Sequence, residues 1–222
     1  MKVLVTGATG FLGQNLVNRL IKDGYELRIL VRNTRDIHRF QERSDLELFE
    51  GDLTDRRSLA GIASDIDAVC HLASVMGHAG TIAVSKREWE QFRLVNVQGT
   101  LNIAEICLGE NVHKFVYISS TAAMGILNVH MVTESTKVHP ETPYQVTKCE
   151  SESVLLSLWR DHGLPVVVLR PSVFYGYGMV GDLAKLVKFV QKGVLFKIGS
   201  GKNLFPLCHV RDVVSGLYWL SK

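Results

Sequence analysis

Short apolar runs alternate along this chain with stretches whose apolar residues recur every three or four positions. The first run, Lys2 to Val5, predicts a strand; Leu12, Leu16 and Leu20, with Val17 and Ile21 beside them, predict a helix that closes at Gly24. Leu27 to Val31 and Leu46 to Phe49 predict a second and a third strand, a short helix follows around Arg57 to Ile62, and Ala68 to Ala73 is a fourth strand. A long helical stretch is expected from about Glu88 to Leu108, with Leu94, Val97, Leu101 and Ile106 as its buried stripe. Lys114 to Ile118 is a fifth strand. Thr142-Pro143 reads as an N-cap with proline at the first helical position, opening a helix that runs to His162-Gly163 before a sixth strand at Pro165 to Leu169. Strands continuous in Val, Ile and Leu that alternate with helices imply an α/β protein, a doubly wound parallel sheet covered on both faces.

From Tyr175 to Pro206 the alternation loosens and glycines accumulate. The expected organisation is a sheet domain over 1–174, a substrate-side segment over 175–206, and a return to the sheet domain over 207–222. The pattern is still helical where the sequence stops. A doubly wound sheet binds its ligand beyond the carboxyl ends of its strands, and the polar clusters of this chain fall at strand ends.

The turn after the first strand is glycine-punctuated: Thr6-Gly7-Ala8-Thr9-Gly10-Phe11-Leu12-Gly13. Gly7 suits a tight turn, Gly10 lets backbone approach a pyrophosphate, and Gly13 lets helix and strand pack closely. The helix N-terminus beyond it offers unpaired N–H groups and a positive dipole end to phosphate. The spacing is G-x-x-G-x-x-G rather than G-x-G-x-x-G.

Composition excludes more than it identifies. With 222 residues, 46% hydrophobic and 21% charged, the chain can bury a sizeable core. A net charge of +3, with no basic run interleaved with aromatics, gives no footprint for nucleic acid. No apolar run approaches the length of a membrane span and no leader precedes the first strand, so a cytoplasmic protein is expected. Cys70, Cys107, Cys149 and Cys208 are far apart, as free thiols in a reducing compartment. His71, His78, His130, His139 and His209 lack ligand spacing, and no metal site is expected. The Met76-Gly77-His78-Ala79-Gly80 loop is placed to line a cleft.

The candidate chemistry follows from two side chains. Tyr144 and Lys148 lie four apart on a helix and share a face. A phenol is a poor acid or base near pH 7, and a neighbouring ammonium is expected to lower its pKa. Such a pair suits proton transfer at a carbinol oxygen while hydride passes to or from a nicotinamide. Ser120, at the end of the fifth strand, could hold the same oxygen. The second strand ends Val31-Arg32 with no acid at its tip; Arg32 suits a ribose 2′-phosphate, so NADP is expected, with NAD as the alternative. Asp52, closing the third strand, is placed to accept from an adenine amino group.

These motifs, with Asp52-Leu53, His71-Leu72-Ala73, Ser119-Ser120 and Arg170-Pro171, together resemble the extended short-chain dehydrogenase/reductase family, the NAD-dependent epimerases/dehydratases and dihydroflavonol-reductase-like enzymes. The resemblance covers essentially the whole chain and implies a Rossmann fold. It implies Tyr144 as acid/base, Lys148 as the residue that orients the nicotinamide ribose, Ser120 (Thr121 as fallback) as the group polarising substrate, and Asn96 as a helix residue supporting the lysine through water. It places the cofactor against Gly7, Thr9, Gly10, Phe11, Leu12, Gly13, Arg32, Asp52, Leu53, Leu72, Ala73, Ser74, Tyr144, Lys148, Pro171 and Val173. Arg211, in His209-Val210-Arg211-Asp212, would face substrate.

Two departures narrow the reading. Ser120 is followed by Thr121-Ala122 rather than an Asp-Glu pair, which sets a dehydratase aside. Val31-Arg32 resembles the NADP-using reductases. Full-length relatives also continue well past residue 222, so a chain with an incomplete substrate lobe is expected. The expected function is an NAD(P)-dependent oxidoreductase acting on a ketone or secondary alcohol of a small polar substrate. The alternatives are a nucleotide-sugar epimerase holding NAD tightly and a non-catalytic dinucleotide-sensing protein. A homodimer is expected, with Val154, Leu155, Leu158 and Trp159 as its seam or, equally, as packing against the sheet.

Overall fold

A computed structural model describes residues 1–33, 45–77, 84–125, 131–194, 197, 199–202 and 204–222. Six strands form one parallel sheet in the order β3-β2-β1-β4-β5-β6: β1 (Lys2–Thr6), β2 (Glu26–Val31), β3 (Leu46–Glu50), β4 (Ala68–His71), β5 (Lys114–Ile118) and β6 (Val166–Leu169). The order reverses at β1, so the carboxyl ends of β1 and β4 flank the switch point where such sheets bind ligands. The register sets Thr6 beside His71 and His71 beside Tyr117.

Two helical layers cover the sheet because successive strand residues point to opposite faces. On one face Val3, Val5, Ile29, Cys70 and Val116 pack under α1 (Phe11–Lys22) and α6 (Val210–Leu220). On the other, Leu4, Leu30, Val69, Phe115 and Tyr117 pack under α3 (Gly99–Leu108) and α4 (Pro143–His162). The expected α1 stripe is the observed one: Leu12, Leu16, Val17, Leu20 and Ile21 are all buried. Gly24 ends that helix at φ +79°, where Gly24 N–H donates to Ile21 and Tyr25 N–H to Leu20. Thr142 caps α4 as expected, in a reciprocal box with Gln145, and Gly163 closes it in the left-handed region.

The long helix after β4 differs from its expected form. It begins as α2 (Lys86–Phe92), widens into a π turn at Arg93–Gln98, and continues as α3. A π turn carries an extra residue, which rotates the faces on either side out of one 3.6-residue register. The buried line is Phe92, Asn96, Thr100, Ile103 and Cys107; Leu94 is 47% exposed, and Val97, Leu101 and Ile106 are only half-buried. Among the expected seam residues, Leu155 and Leu158 belong to the core, Val154 packs partly against it, and Trp159 is 55% exposed.

Beyond β6 the chain forms a separate parallel pair, β7 (Val173–Tyr175) with β8 (Leu207–His209). Between them lies α5 (Asp182–Gln191), which buries none of its residues. On the far side of the sheet, Arg28 is a buried cation serving the fold. Its Nη1 donates to the carbonyls of Gly61, Ile62 and Ser64, and its Nε pairs with Glu47 at 2.9 Å. Among the described residues no helix is long and apolar enough to cross a membrane, and no group of three or more His, Cys, Asp or Glu side chains could hold a metal ion. All four cysteines are unpaired. His78 and His130, and most of the loop that begins at Met76, lie outside the described residues.

Candidate active site

The glycine turn is shaped by contacts of two kinds. Gly7 has φ +70°, and a Cβ there would lie 2.7 Å from the Ala73 nitrogen; a Cβ on Gly13 would lie 2.1 Å from the Gly7 carbonyl oxygen. These two glycines are demanded by the protein's own backbone. At Gly10 a Cβ would meet only the Gly7 oxygen, at 3.3 Å, and φ is −75°. α1 has no side-chain cap and no acid in its first turn, so no side chain compensates its leading N–H groups. Thr9 and Gly10 are exposed there, and Phe11 stacks on Phe174, with ring centroids 5.9 Å apart. The turn therefore fits an anionic group at the helix N-terminus.

Beside the turn runs a buried hydrogen-bond chain that sequence reasoning missed. Ala73 N–H donates to Thr6 Oγ1 (3.2 Å), which lies 2.7 Å from His71 Nδ1; His71 Nε2 lies 2.9 Å from Thr100 Oγ1, which donates to the Asn96 carbonyl at 2.5 Å. Because the Thr100 proton goes to Asn96, Nε2 must carry the imidazole proton and Nδ1 must accept from Thr6. Burial pushes His71 down to about 3, and Lys148 adds to the shift. A neutral ring of fixed tautomer thus ties the tip of β1 to the π turn.

Asn96 is 1% exposed and its carboxamide is saturated. Oδ1 accepts from Val75 N–H at 2.7 Å and from the Ser74 hydroxyl at 3.3 Å; Nδ2 donates to the Val75 carbonyl at 2.9 Å and to Thr147 Oγ1 at 3.0 Å. Its carbonyl also accepts from Ser151. Asn96 clamps the chain leaving β4 to α4, and Lys148 is not among its partners in the described residues. The only signal for this was two polar pairs, Asn96 with Thr100 and Thr147 with Ser151, each four residues apart on a helix.

Tyr144, Lys148 and Ser120 converge at the end of β5. Lys148 is 1% exposed; its Nζ donates to the Ile118 carbonyl at 2.8 Å and lies 5.9 Å from the Tyr144 ring centroid. Burial pushes Lys148 down to about 7, with Glu152 opposing. Tyr144 moves the other way from its expected direction: burial raises its pKa, and a hydrogen bond with Ser120 only partly offsets this. The sequence reading took the ammonium to dominate, but removing the phenolate from water outweighs it. Ser120 Oγ also accepts from Ala122 N–H at 3.1 Å, which fixes it at the start of a short 3₁₀ turn (Thr121–Met124). Below them Glu152, 4% exposed, accepts from Ser119 and from Arg170, whose Nε lies 2.9 and 3.1 Å from its two oxygens. This closes the Arg170-Pro171 corner onto α4.

The remaining candidates lie around the same edge. Leu72, Ala73 and Ser74 line the exit of β4, half-buried, and Pro171 accepts from Thr121 N–H at 3.0 Å. Val173 is 44% exposed at the start of β7, and Arg32 is exposed at the tip of β2. Asp52 Oδ1 accepts from both the N–H and the hydroxyl of Thr54, as a turn aspartate does, and Leu53 is buried against Gly99. His209 caps α6 through Nδ1, accepting from Arg211 N–H at 3.1 Å, and Arg211 is exposed.

A six-stranded parallel sheet with its glycine turn at the switch point defines the doubly wound, Rossmann class. Residues 3–222 match the NAD-dependent epimerase/dehydratase family, and the chain belongs to that family of enzymes. A UDP-glucose 4-epimerase of Vibrio cholerae is 32% identical over an alignment of 223 positions that covers 96% of this chain and 64% of that protein. An uncharacterized protein, y4nG, of Sinorhizobium fredii is 30% identical over 213 residues, 96% of this chain and 51% of that one. The chain thus spans between half and two thirds of these relatives' length. Among solved structures, the UDP-glucuronic acid 4-epimerase of Bacillus cereus with UDP-glucuronic acid and NAD superposes with a TM-score of 0.83 at 26% identity, covering 98% of this chain and 72% of that one. DesIV, a dTDP-glucose 4,6-dehydratase of Streptomyces venezuelae with NAD bound, gives 0.84 at 26% identity, over 98% and 70% of the two chains.

Proposed function

We propose that this chain carries the dinucleotide-binding part of an NAD(P)-dependent oxidoreductase that moves hydride to or from a ketone or secondary alcohol of a small polar substrate. The observation that supports it best is the convergence of buried Tyr144 and Lys148 with half-buried Ser120 at the carboxyl end of β5, the sheet edge that also carries the glycine turn. Residues 1–174 and 207–222 would form the dinucleotide-binding domain and 175–206 the substrate-side segment. The bound nicotinamide would supply the hydride carrier. Gly7 through Gly13 would hold its pyrophosphate, Leu72 to Ser74 its central span, and Pro171 and Val173 the nicotinamide end.

In reduction, Tyr144 as a neutral phenol gives its proton to the carbinol oxygen as negative charge develops there, and Ser120 donates to the same oxygen. Lys148, with a proton affinity brought close to neutrality, restores or withdraws the Tyr144 proton. In oxidation the same groups run in reverse. Substrate identity is best sought with a panel of sugar nucleotides and small ketones. Sustained consumption of NADPH supports the oxidoreductase; no net turnover by a protein purified with NAD already bound replaces it with a nucleotide-sugar epimerase. That second reading is favoured by the likeness to the Vibrio cholerae epimerase.

NADP is the proposed cofactor because the exposed Arg32, with no acid at the tip of β2, suits a 2′-phosphate; the two superposed structures hold NAD. Arg32→Ala should weaken NADPH binding about tenfold or more, the order of one charge-assisted phosphate contact, and leave NADH nearly unchanged. Equal losses, read by fluorescence titration, would assign NAD. Asp52, with Oδ1 engaged by Thr54, keeps Oδ2 for an adenine amino group.

A homodimer is proposed through the outer face of α3 and α4. Here Val97, in the π turn that leads into α3, lines an apolar groove with Val146, Cys149 and Val154 of α4. Of the sequence reading's seam, Val154, Leu155, Leu158 and Trp159, only Val154 lines this groove. Val97→Glu should give a monomer in sedimentation velocity where the parent sediments as a dimer; a monomeric parent ends the proposal.

A further inference from the structure

Beneath the Tyr144–Lys148 pair lies a second phenol to which the reaction gives no part. Tyr117 stands on β5 next to Ile118, whose carbonyl accepts from Lys148, and it is 0% exposed. Lys148 Nζ lies 4.7 Å from the Tyr117 ring centroid, closer than the 5.9 Å to the ring of Tyr144. On the neighbouring strand the His71 ring stacks against Tyr117, with centroids 5.7 Å apart and planes 23° from parallel. Its phenol oxygen is buried without a hydrogen bond among the described residues. Ser151 and Thr100 lie nearby and each donates its proton to the Asn96 carbonyl, so toward the phenol either oxygen can act only as an acceptor.

An ammonium has three N–H donors, and in the described structure Lys148 has one hydrogen-bond acceptor, the Ile118 carbonyl. Three other titratable side chains lie around it. From α4 come Tyr144, held as the neutral phenol, and Glu152, whose carboxylate is already engaged by Ser119 and Arg170. From β4 comes His71, held neutral. What remains to receive the charge is the negative face of an aromatic ring, which attracts a desolvated cation strongly. We propose that the Tyr117 ring is the seat of the Lys148 ammonium, making Tyr117 a positioning residue that sets how readily this amine holds its proton. The inference rests on Lys148 being the amine of the reaction. It also accounts for the lone hydroxyl: the ring is what matters, and the oxygen is incidental.

The test is a pH titration of lysine ε-carbons by NMR in the purified chain labelled with 13C-lysine, with Lys148→Met identifying the signal by its loss. Tyr117→Leu should lower the Lys148 midpoint by about one pH unit, a tenfold loss of proton affinity, while Tyr117→Phe should keep it within about 0.3 unit of the parent. Should the Leu variant not fold, fluorinated phenylalanines at position 117 keep the shape while draining the ring face, and the midpoint should fall stepwise with fluorine count. A midpoint unmoved by Leu or by fluorination, or moved as far by Phe as by Leu, overturns the proposal. The titration needs no turnover, so failure of the oxidoreductase reading and failure of this one are separately visible.

Discussion

Replacing Tyr144 by Phe should lower turnover by about 10²–10⁴-fold, the usual contribution of a positioned acid or base, while dinucleotide affinity stays within about twofold. The substitution removes one oxygen and keeps a ring that is 9% exposed in the first turn of α4, with Lys148 Nζ 5.9 Å from its centroid. Folding should therefore survive, and circular dichroism should match the parent. The loss should fall on kcat rather than KM, because the hydroxyl acts on charge that develops only in the transition state. Turnover unchanged on a substrate found by the panel would remove Tyr144 from the chemistry. A loss confined to KM would make it a binding contact.

The second large effect is expected at the glycine turn, and it separates what the fold needs from what a ligand needs. Gly13→Ala places a methyl 2.1 Å from the Gly7 carbonyl oxygen and 2.7 Å from Ala8 Cα, and all of those neighbours are backbone. Either α1 lifts from β1 or the turn opens. Overpacking of this kind costs about 1–3 kcal/mol, a fall in Tm of about 2–12 °C for a chain of this size. Dinucleotide affinity should drop about 100-fold or more, since the N–H groups that face the phosphates move with the helix. Gly10→Ala is the contrast: φ is −75° and the added methyl meets one atom at 3.3 Å. That variant should melt like the parent yet bind dinucleotide poorly, because its methyl projects where a pyrophosphate would approach. Normal binding by Gly10→Ala would move the phosphate site away from this turn.

How much of this was legible in the sequence depended on whether a residue's neighbours are local. The stripe Leu12, Leu16, Leu20 predicted α1 because an unbroken helix keeps its period, and Thr142-Pro143 predicted the start of α4 because a cap is settled within four residues. The stripe Leu94, Val97, Leu101 failed because a single wide turn shifts the period, and nothing local announces a π turn whose polar Asn96 and Thr100 are buried through bonds to other elements. Tyr144, Lys148 and Ser120 could be nominated by spacing and strand position. The direction of the Tyr144 shift could not, because it is decided by burial, which four residues of sequence do not contain. His71 drew notice as part of the His71-Leu72-Ala73 motif and as a histidine without ligand spacing, whereas its part in linking Thr6 to Thr100 needed three elements to be in place.

That imidazole leaves the fold exposed to mild acid. In the folded chain it takes up a proton only near pH 3, whereas in an unfolded chain it does so near the ordinary value of about 6.5. Between those limits disorder gains a proton that order refuses, so acidification through the window progressively favours unfolding through this one ring. Above it neither state is charged and the penalty is gone. The same refusal keeps Nδ1 an acceptor, so Thr6 never has to turn its hydroxyl away from His71 while the chain remains folded.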